Sequence, residues 1–136
     1  MILGDLQRQL ERIYRLAGLP PIERFVVPPE AEGPPRILLR ESEGTVYLAV
    51  EIGEREREPG NLADFLGAAE ETSHFLYLGF KAANERPVSL LDVEIQGEID
   101  KYLLASIHFP REKHLFERFF ARARFHRRLR SETLER

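Results

Sequence analysis

Residues 36–52 read RILLRESEGTVYLAVEI, and this stretch decides the fold. Two β-rich runs flank a polar turn that ends at Gly44, and glycine readily supplies the positive φ of a short hairpin loop. In the second run apolar residues alternate from Val46 to Ile52, so they share one face of a strand. Two strands alone are marginally stable in water. The sequence therefore predicts a β-hairpin whose apolar face is covered by helices.

An amphipathic helix and a connector precede the hairpin. Residues 2–17 carry leucine and isoleucine at three- and four-residue spacing, which places them on one helical face. Gly18 is suited to end this helix, and the prolines after it prevent continuation. Residues 19–35 hold six of the nine prolines, so we expect an extended surface connector. Within it, residues 25–27 predict a short third strand.

Three further helices are predicted after the hairpin. The second helix spans residues 61–85 and begins at Asn61, a favourable N-cap residue. Its apolar residues occupy more than one side, which predicts a central helix. The third helix spans residues 89–107 and begins at Ser89 in a variant of the capping box. The fourth covers about 111–130.

The segment between the hairpin and the second helix alternates in charge from Glu54 to Glu58. It has no apolar periodicity, so we expect a solvated loop or a frayed strand end. Taken together, the elements predict one domain over residues 1–136. The expected class is α+β and helix-dominated, with a small antiparallel sheet packed against three to four helices.

The composition excludes several kinds of function. The chain has no cysteine, so it has no disulfide, thiolate metal site or cysteine nucleophile. Its nine glycines are scattered singly and form no phosphate-binding loop. No apolar run approaches the roughly 18 residues of a membrane span. The charged N-terminal segment does not resemble a signal peptide, so we expect a cytoplasmic protein that does not bind membranes.

Charge is distributed unevenly along the chain. Residues 1–109 carry 11 basic and 19 acidic side chains, a formal charge of −8. Residues 110–136 carry 9 basic and 4 acidic side chains, a formal charge of +5. A basic helix with interleaved aromatic residues can bind nucleic acid, an acidic protein or the acidic part of its own chain. The candidate interface residues in this region are Arg118, Arg122, Arg124, Phe125, Arg127, Arg128 and Arg130.

A Glu-Glu-x-x-His group lies within the second predicted helix, at residues 70–74. Glu71 and Glu70 precede His74 by three and four positions, so either carboxylate can reach the imidazole. Glu-x-x-His also occurs in two-metal helical bundles, but these need a second such pair, which this sequence lacks. Helical projection puts Glu70, His74 and Lys81 away from the main apolar stripe. We therefore expect a solvated pair, with a buried histidine and a metal site as the alternatives.

Acidic residues also recur in the third predicted helix. Glu94 and Glu98 are four residues apart on one face, with Asp92 and Asp100 close by. Such a pair can serve as general acid and base or bind a divalent ion. Two carboxylates at this spacing repel each other, and Lys101 or an arginine of the basic region would offset that repulsion. We expect a structural ion-pair network here.

No complete catalytic constellation is visible, so an enzyme is the less favoured class. We expect a non-catalytic binding, adaptor or regulatory protein that acts through protein–protein contacts, self-associates as a homodimer and uses no cofactor or metal. The alternative is a nucleic-acid-binding protein that uses the Arg- and Phe-rich C-terminal helix. A third, less favoured hypothesis is a metal-dependent hydrolase that uses Glu71, His74, Glu94 and Glu98.

Overall fold

The computed structural model describes residues 1–112 together with His114, Leu115 and Glu117. Its helix-dominated α+β architecture confirms the predicted class. No helix in this described part is long and apolar enough to cross a membrane. In chain order the elements are α1 (Ile2–Tyr14), a 3₁₀ helix (Ile22–Phe25), β1 (Val26–Val27), β2 (Arg36–Ser42), β3 (Thr45–Glu51), α2 (Glu54–Arg57), α3 (Leu62–Ala83) and α4 (Leu90–His108).

The hairpin forms as predicted, with a two-residue turn between β2 and β3. Glu43 and Gly44 both have positive φ, 52° and 80°, which is the backbone of a type I′ turn. The strands then pair in register from Ser42 opposite Thr45 to Arg36 opposite Glu51. This turn suits the right-handed twist of the two strands, so the local sequence and the sheet agree.

The predicted third strand is present, but it makes the sheet mixed rather than antiparallel. β1 pairs with β3 in parallel, with Val26 opposite Val50, and the strand order is β1-β3-β2. The proline-rich residues between β1 and β2 carry the chain across the sheet, so β1 and β2 lie on opposite sides of β3. A purely antiparallel sheet was therefore the wrong expectation.

The core lies between α1, the sheet and α3. Leu3, Leu6 and Leu10 of α1 are almost completely buried and pack with residues of β3 and α3. Gln7 on the same helix binds the connector: its side-chain nitrogen donates to the Pro20 carbonyl (3.0 Å), and its oxygen accepts from the Ile22 amide (2.7 Å). These two bonds fix the proline-rich segment against α1.

Helix α1 ends three residues earlier than the position of Gly18 suggests. Arg15 takes the left-handed conformation (φ 55°, ψ 44°), and the Leu16 amide donates to the Glu11 carbonyl (2.8 Å). This is the hydrogen-bond pattern with which left-handed residues commonly close helices. Gly18 also has positive φ (81°), but it lies in the connector.

The charged segment after β3 is a short helix, so the expected loop was wrong. α2 spans Glu54–Arg57 and packs against α3 and α1. Its alternating Glu and Arg residues show no apolar period. Contacts of its backbone and of the aliphatic parts of its side chains with α1 and α3 stabilise this helix instead. Pro59 and Gly60 follow it directly and separate it from α3.

Helices α3 and α4 begin where their caps predict. The Asn61 side chain accepts from the Asp64 amide (2.8 Å), and the Ser89 hydroxyl accepts from the Asp92 amide (3.4 Å). α3 contacts α1, α2, the sheet and α4, and its contact with α4 is the most extensive. It is therefore the central helix, as its several apolar sides predicted.

Candidate functional site

The Glu-Glu-x-x-His group of α3 lies inside the contact with α4. His74 is 8% exposed and Glu71 is 5% exposed, whereas Glu70 is half-buried. The expected solvated pair is therefore wrong for Glu71 and His74. Helical projection found the strongest apolar stripe of α3, but α4 covers a second side of this helix and buries the polar group.

Each carboxylate approaches a different nitrogen of the imidazole. Nδ1 of His74 lies 3.7 Å from Oε1 of Glu71, and Nε2 lies 3.9 Å from Oε1 of Glu70. Neither distance is short enough for a hydrogen bond. Oε2 of Glu71 and Nε2 of His74 are buried and have no hydrogen-bond partner within the described residues. Such unpaired buried atoms are rare and costly in folded proteins.

Helix α4 comes close to this group because it has a glycine at the contact. A Cβ atom on Gly97 would lie 2.9 Å from Nε2 of His74 and 3.8 Å from Cγ of Glu70. The absence of a side chain at this position lets the imidazole of His74 pack closely against the backbone of α4. Sequence reasoning did not single out Gly97, although an isolated glycine inside a helical pattern is a signal of close packing.

Two residues of the predicted acidic run join this contact from α4. Nζ of Lys101 lies 2.6 Å from Oε1 of Glu98, so the two side chains form a close ion pair. The same nitrogen lies 3.6 Å from Oε2 of Glu70. Lys101 thus offsets acidic repulsion as expected. Glu94 is half-buried and lines the same cleft as His74.

The electrostatics of the group are dominated by its carboxylates. Burial by itself lowers the pKa of His74, but the contact with Glu71 and the charges of Glu71, Glu70 and Glu94 act more strongly, so the pKa is raised above its ordinary value. Burial raises the pKa of Glu94, and the Glu70 charge adds to this effect against the opposing influence of His74. Burial lowers the pKa of Lys101, yet Glu98 and Glu70 raise it overall.

A cleft opens beside the group. It has a volume of about 760 Å³ and runs between β2, the connector and the facing sides of α3 and α4. Glu70, Glu71, His74 and Glu94 line one part of it, and the remaining lining is largely apolar. Three of the four predicted catalytic candidates, Glu71, His74 and Glu94, therefore share one cleft, whereas Glu98 pairs with Lys101.

A second polar cluster, which the sequence did not reveal, lies at the contact of α1, α3 and α4. Asp100 is 3% exposed, and its carboxylate accepts from the Tyr14 hydroxyl (2.6 Å), the Ser73 hydroxyl (2.6 Å) and the Gln96 amide (3.0 Å). Burial, together with the bond to Asp100, raises the pKa of Tyr14. All oxygens of this carboxylate have donors, so its role is structural. Its partners are 4, 27 and 86 residues away in sequence, and no local pattern joins them.

The candidate interface residues of the basic C-terminal region lie outside the described residues. They are Arg118, Arg122, Arg124, Phe125, Arg127, Arg128 and Arg130. The nucleic-acid-binding alternative depends on all of them and stays a prediction.

No family model, no curated protein and no solved structure matches this chain.

Proposed function

We propose that this protein is a non-catalytic binding protein that acts through protein–protein contacts and pairs with a second copy of itself through the outer edge of β2. One observation carries the proposal. β2 pairs with β3 on one side, and no strand of the described part of the chain pairs with its other side. An exposed edge of this kind can add a strand from another chain.

The hairpin geometry determines which backbone groups are free. Ser42 and Thr45 flank a two-residue turn, so they form a hydrogen-bonded pair, and the pattern then alternates along the ladder. The backbone N–H and C=O groups of Ile37, Leu39 and Glu41 therefore point away from β3. Three residues with outward donors and acceptors form a short template for another strand.

Exposed apolar side chains accompany this edge. Leu39 is 55% exposed, and Leu38 and Tyr47 are also exposed. Leu38 and Tyr47 share one face of the hairpin and Leu39 lies on the other, so apolar side chains flank the edge on both faces of the sheet. Burying the exposed half of Leu39 against another molecule would contribute roughly 1 kcal/mol.

The charge pattern favours a second copy as the partner. Two copies of β2 can pair antiparallel about a twofold axis at Leu39. Each Leu39 then lies opposite its copy, Arg36 lies opposite Ser42, and Leu38 lies opposite Arg40. No two like charges face each other directly in this arrangement. Centring on Leu38 instead would place Arg36 opposite Arg40, which is unfavourable. The twofold axis at Leu39 joins the two sheets into one of six strands.

The test is sedimentation of the purified full chain over a range of concentrations. We expect the wild-type protein to dimerise with a dissociation constant of about 1 mM or lower. Leu39→Lys places two ammonium groups at the twofold axis and should weaken the dimer by about tenfold or more. Ile107→Lys is the matched control, because Ile107 is 51% exposed on α4 and far from the hairpin edge.

Two outcomes would contradict the proposal. One is a wild-type protein that stays monomeric at the highest soluble concentration. The other is a dimer that Leu39→Lys leaves as stable as the wild-type dimer, provided that circular dichroism shows the variant to be folded.

A further inference from the structure

We propose that Glu70, Glu71 and His74 form a binding site for a divalent transition-metal ion at the contact between α3 and α4. The inference does not rest on self-association, because all three ligands belong to α3, although Ile37 and Leu39 of β2 line the adjoining cleft. It rests on four features of the described residues: ligand spacing, unpaired buried atoms, a glycine contact that lets the imidazole lie between the helices, and an excess of negative charge.

The spacing of the three side chains is close to that of a metal site. Each can offer one ligand atom, and these atoms all lie within 4.8 Å of one another. Zinc binds imidazole nitrogen and carboxylate oxygen at about 2.0–2.2 Å, so its ligands lie roughly 3–4 Å apart. The 3.9 Å between Nε2 of His74 and Oε1 of Glu70 falls within that range.

The buried atoms of this group lack other partners. Nε2 of His74 and Oε2 of Glu71 belong to side chains that are at least nine-tenths buried, and neither atom has a hydrogen-bond partner among the described residues. An unpaired buried polar atom costs about 1–3 kcal/mol. A metal ion would satisfy both kinds of atom at once, since each offers a lone pair.

A glycine on α4 lets the imidazole lie at this contact. Gly97 has no Cβ, and the position that a Cβ would take lies 2.9 Å from Nε2 of His74 and 3.8 Å from Cγ of Glu70. A side chain at this position would force the imidazole or the helix to shift. Gly97 therefore allows His74 to keep its place beside the carboxylates of α3.

Charge favours a cation at this place. Four carboxylates lie at this contact, those of Glu70, Glu71, Glu94 and Glu98. Among the ion pairs of the described residues, Lys101 is the one lysine or arginine that contacts them. Lys101 contacts Glu98 and Glu70 but not Glu71. Negative charge in a partly buried place needs compensation, and a divalent ion supplies it.

The donor set indicates the class of ion. One imidazole with carboxylates suits Zn²⁺, Mn²⁺, Fe²⁺ and Co²⁺, whereas the hard ions Mg²⁺ and Ca²⁺ prefer oxygen alone. The three side chains leave coordination positions unfilled, and the adjoining cleft of about 760 Å³ gives water or a small ligand access to them.

The test is titration of the chelator-treated full chain with Co²⁺, followed by its visible absorption and by calorimetry. We expect one ion per chain. His74→Gln and Glu70→Gln should each weaken binding by about 10- to 100-fold or more, because the loss of a hydrogen-bond partner of a metal ligand alone commonly has an effect of that size. Asp92→Asn is the matched control, because it removes one carboxylate charge from an exposed position of α4 and leaves the three ligands, Glu98 and Lys101 intact. We expect its affinity to stay within about twofold of wild type.

A measurement on the wild-type protein keeps the test decisive if a variant fails to fold. Substoichiometric Mn²⁺ should broaden the NMR signals of the His74 ring before those of His108 and His114. The proposal is overturned if the wild-type chain binds no Co²⁺, if folded His74→Gln binds it equally well, or if Mn²⁺ broadens another histidine first.

Discussion

Two residues of α3 that are neighbours in sequence serve different polar clusters. Ser73 donates to Asp100 in the cluster shared with α1, and His74 turns toward Glu70 and Gly97 on the other side. Both side chains are buried, so each depends on a partner from another element. Asp100 has three donors, whereas Nε2 of His74 has none within the described residues. This contrast separates a structural carboxylate from a candidate binding site.

Ser73→Ala should destabilise the protein because it leaves an oxygen of the buried Asp100 carboxylate without its donor. We expect a loss of about 1–3 kcal/mol in the free energy of unfolding, measured by urea denaturation. Ser106→Ala is the matched control, since the Ser106 hydroxyl donates to the Tyr102 carbonyl of its own helix. The control should change stability by less than about 0.5 kcal/mol. Equal effects of the two substitutions would contradict a structural role for the Asp100 cluster.

At the scale of elements, local chemistry predicted most boundaries. Sequence patterns reveal features that depend on residues close together in the chain. These features are the type I′ turn, the Asn61 and Ser89 caps and the leucine spacing of α1. α2 escaped prediction because tertiary contacts stabilise it. The end of α1 differed because Arg15 takes the left-handed conformation that glycine usually supplies.

The two helix caps differ in hydrogen-bond length, and their removal should differ in cost. Asn61→Ala removes a 2.8 Å bond to the Asp64 amide and should destabilise the protein by about 1 kcal/mol. Ser89→Ala removes a 3.4 Å bond to the Asp92 amide and should cost less. Thermal unfolding of both variants beside the wild type measures the difference. A larger loss for Ser89→Ala would show that hydrogen-bond length does not rank these caps.

At the scale of the whole molecule, α3 is covered on several sides, and this arrangement limited what the sequence could reveal about the candidate site. The helix faces α1 and the sheet with apolar residues and faces α4 with Glu71 and His74. A single amphipathic projection assigns one buried side to a helix, and it therefore placed this group in solvent. The spacing of Glu71 and His74 was visible in the sequence, but their burial depends on Gly97, which is 23 residues from His74.

The central position of α3 should appear in amide hydrogen exchange. Residues 71–76 are six consecutive buried residues, whereas α1 and β3 have at most two buried residues in a row. We expect the amides of residues 71–76 to exchange most slowly, because they open only when the core opens. Native-state exchange followed by NMR measures this order. Slower exchange throughout α1 would mean that another element is the last to open.

The two-residue turn at Glu43 and Gly44 also limits how the chain length can vary. Side chains alternate between the faces of a strand, so a change of one residue in pairing register exchanges the faces of β2. Ile37, which packs against the core, would then turn outward, and Arg36 would lose its place opposite Glu51. Exposed loop tips usually tolerate insertions. This tip does not fully share that tolerance, because a deletion, or an insertion that the strands absorb instead of the loop, would alter both the protein interior and the free strand edge.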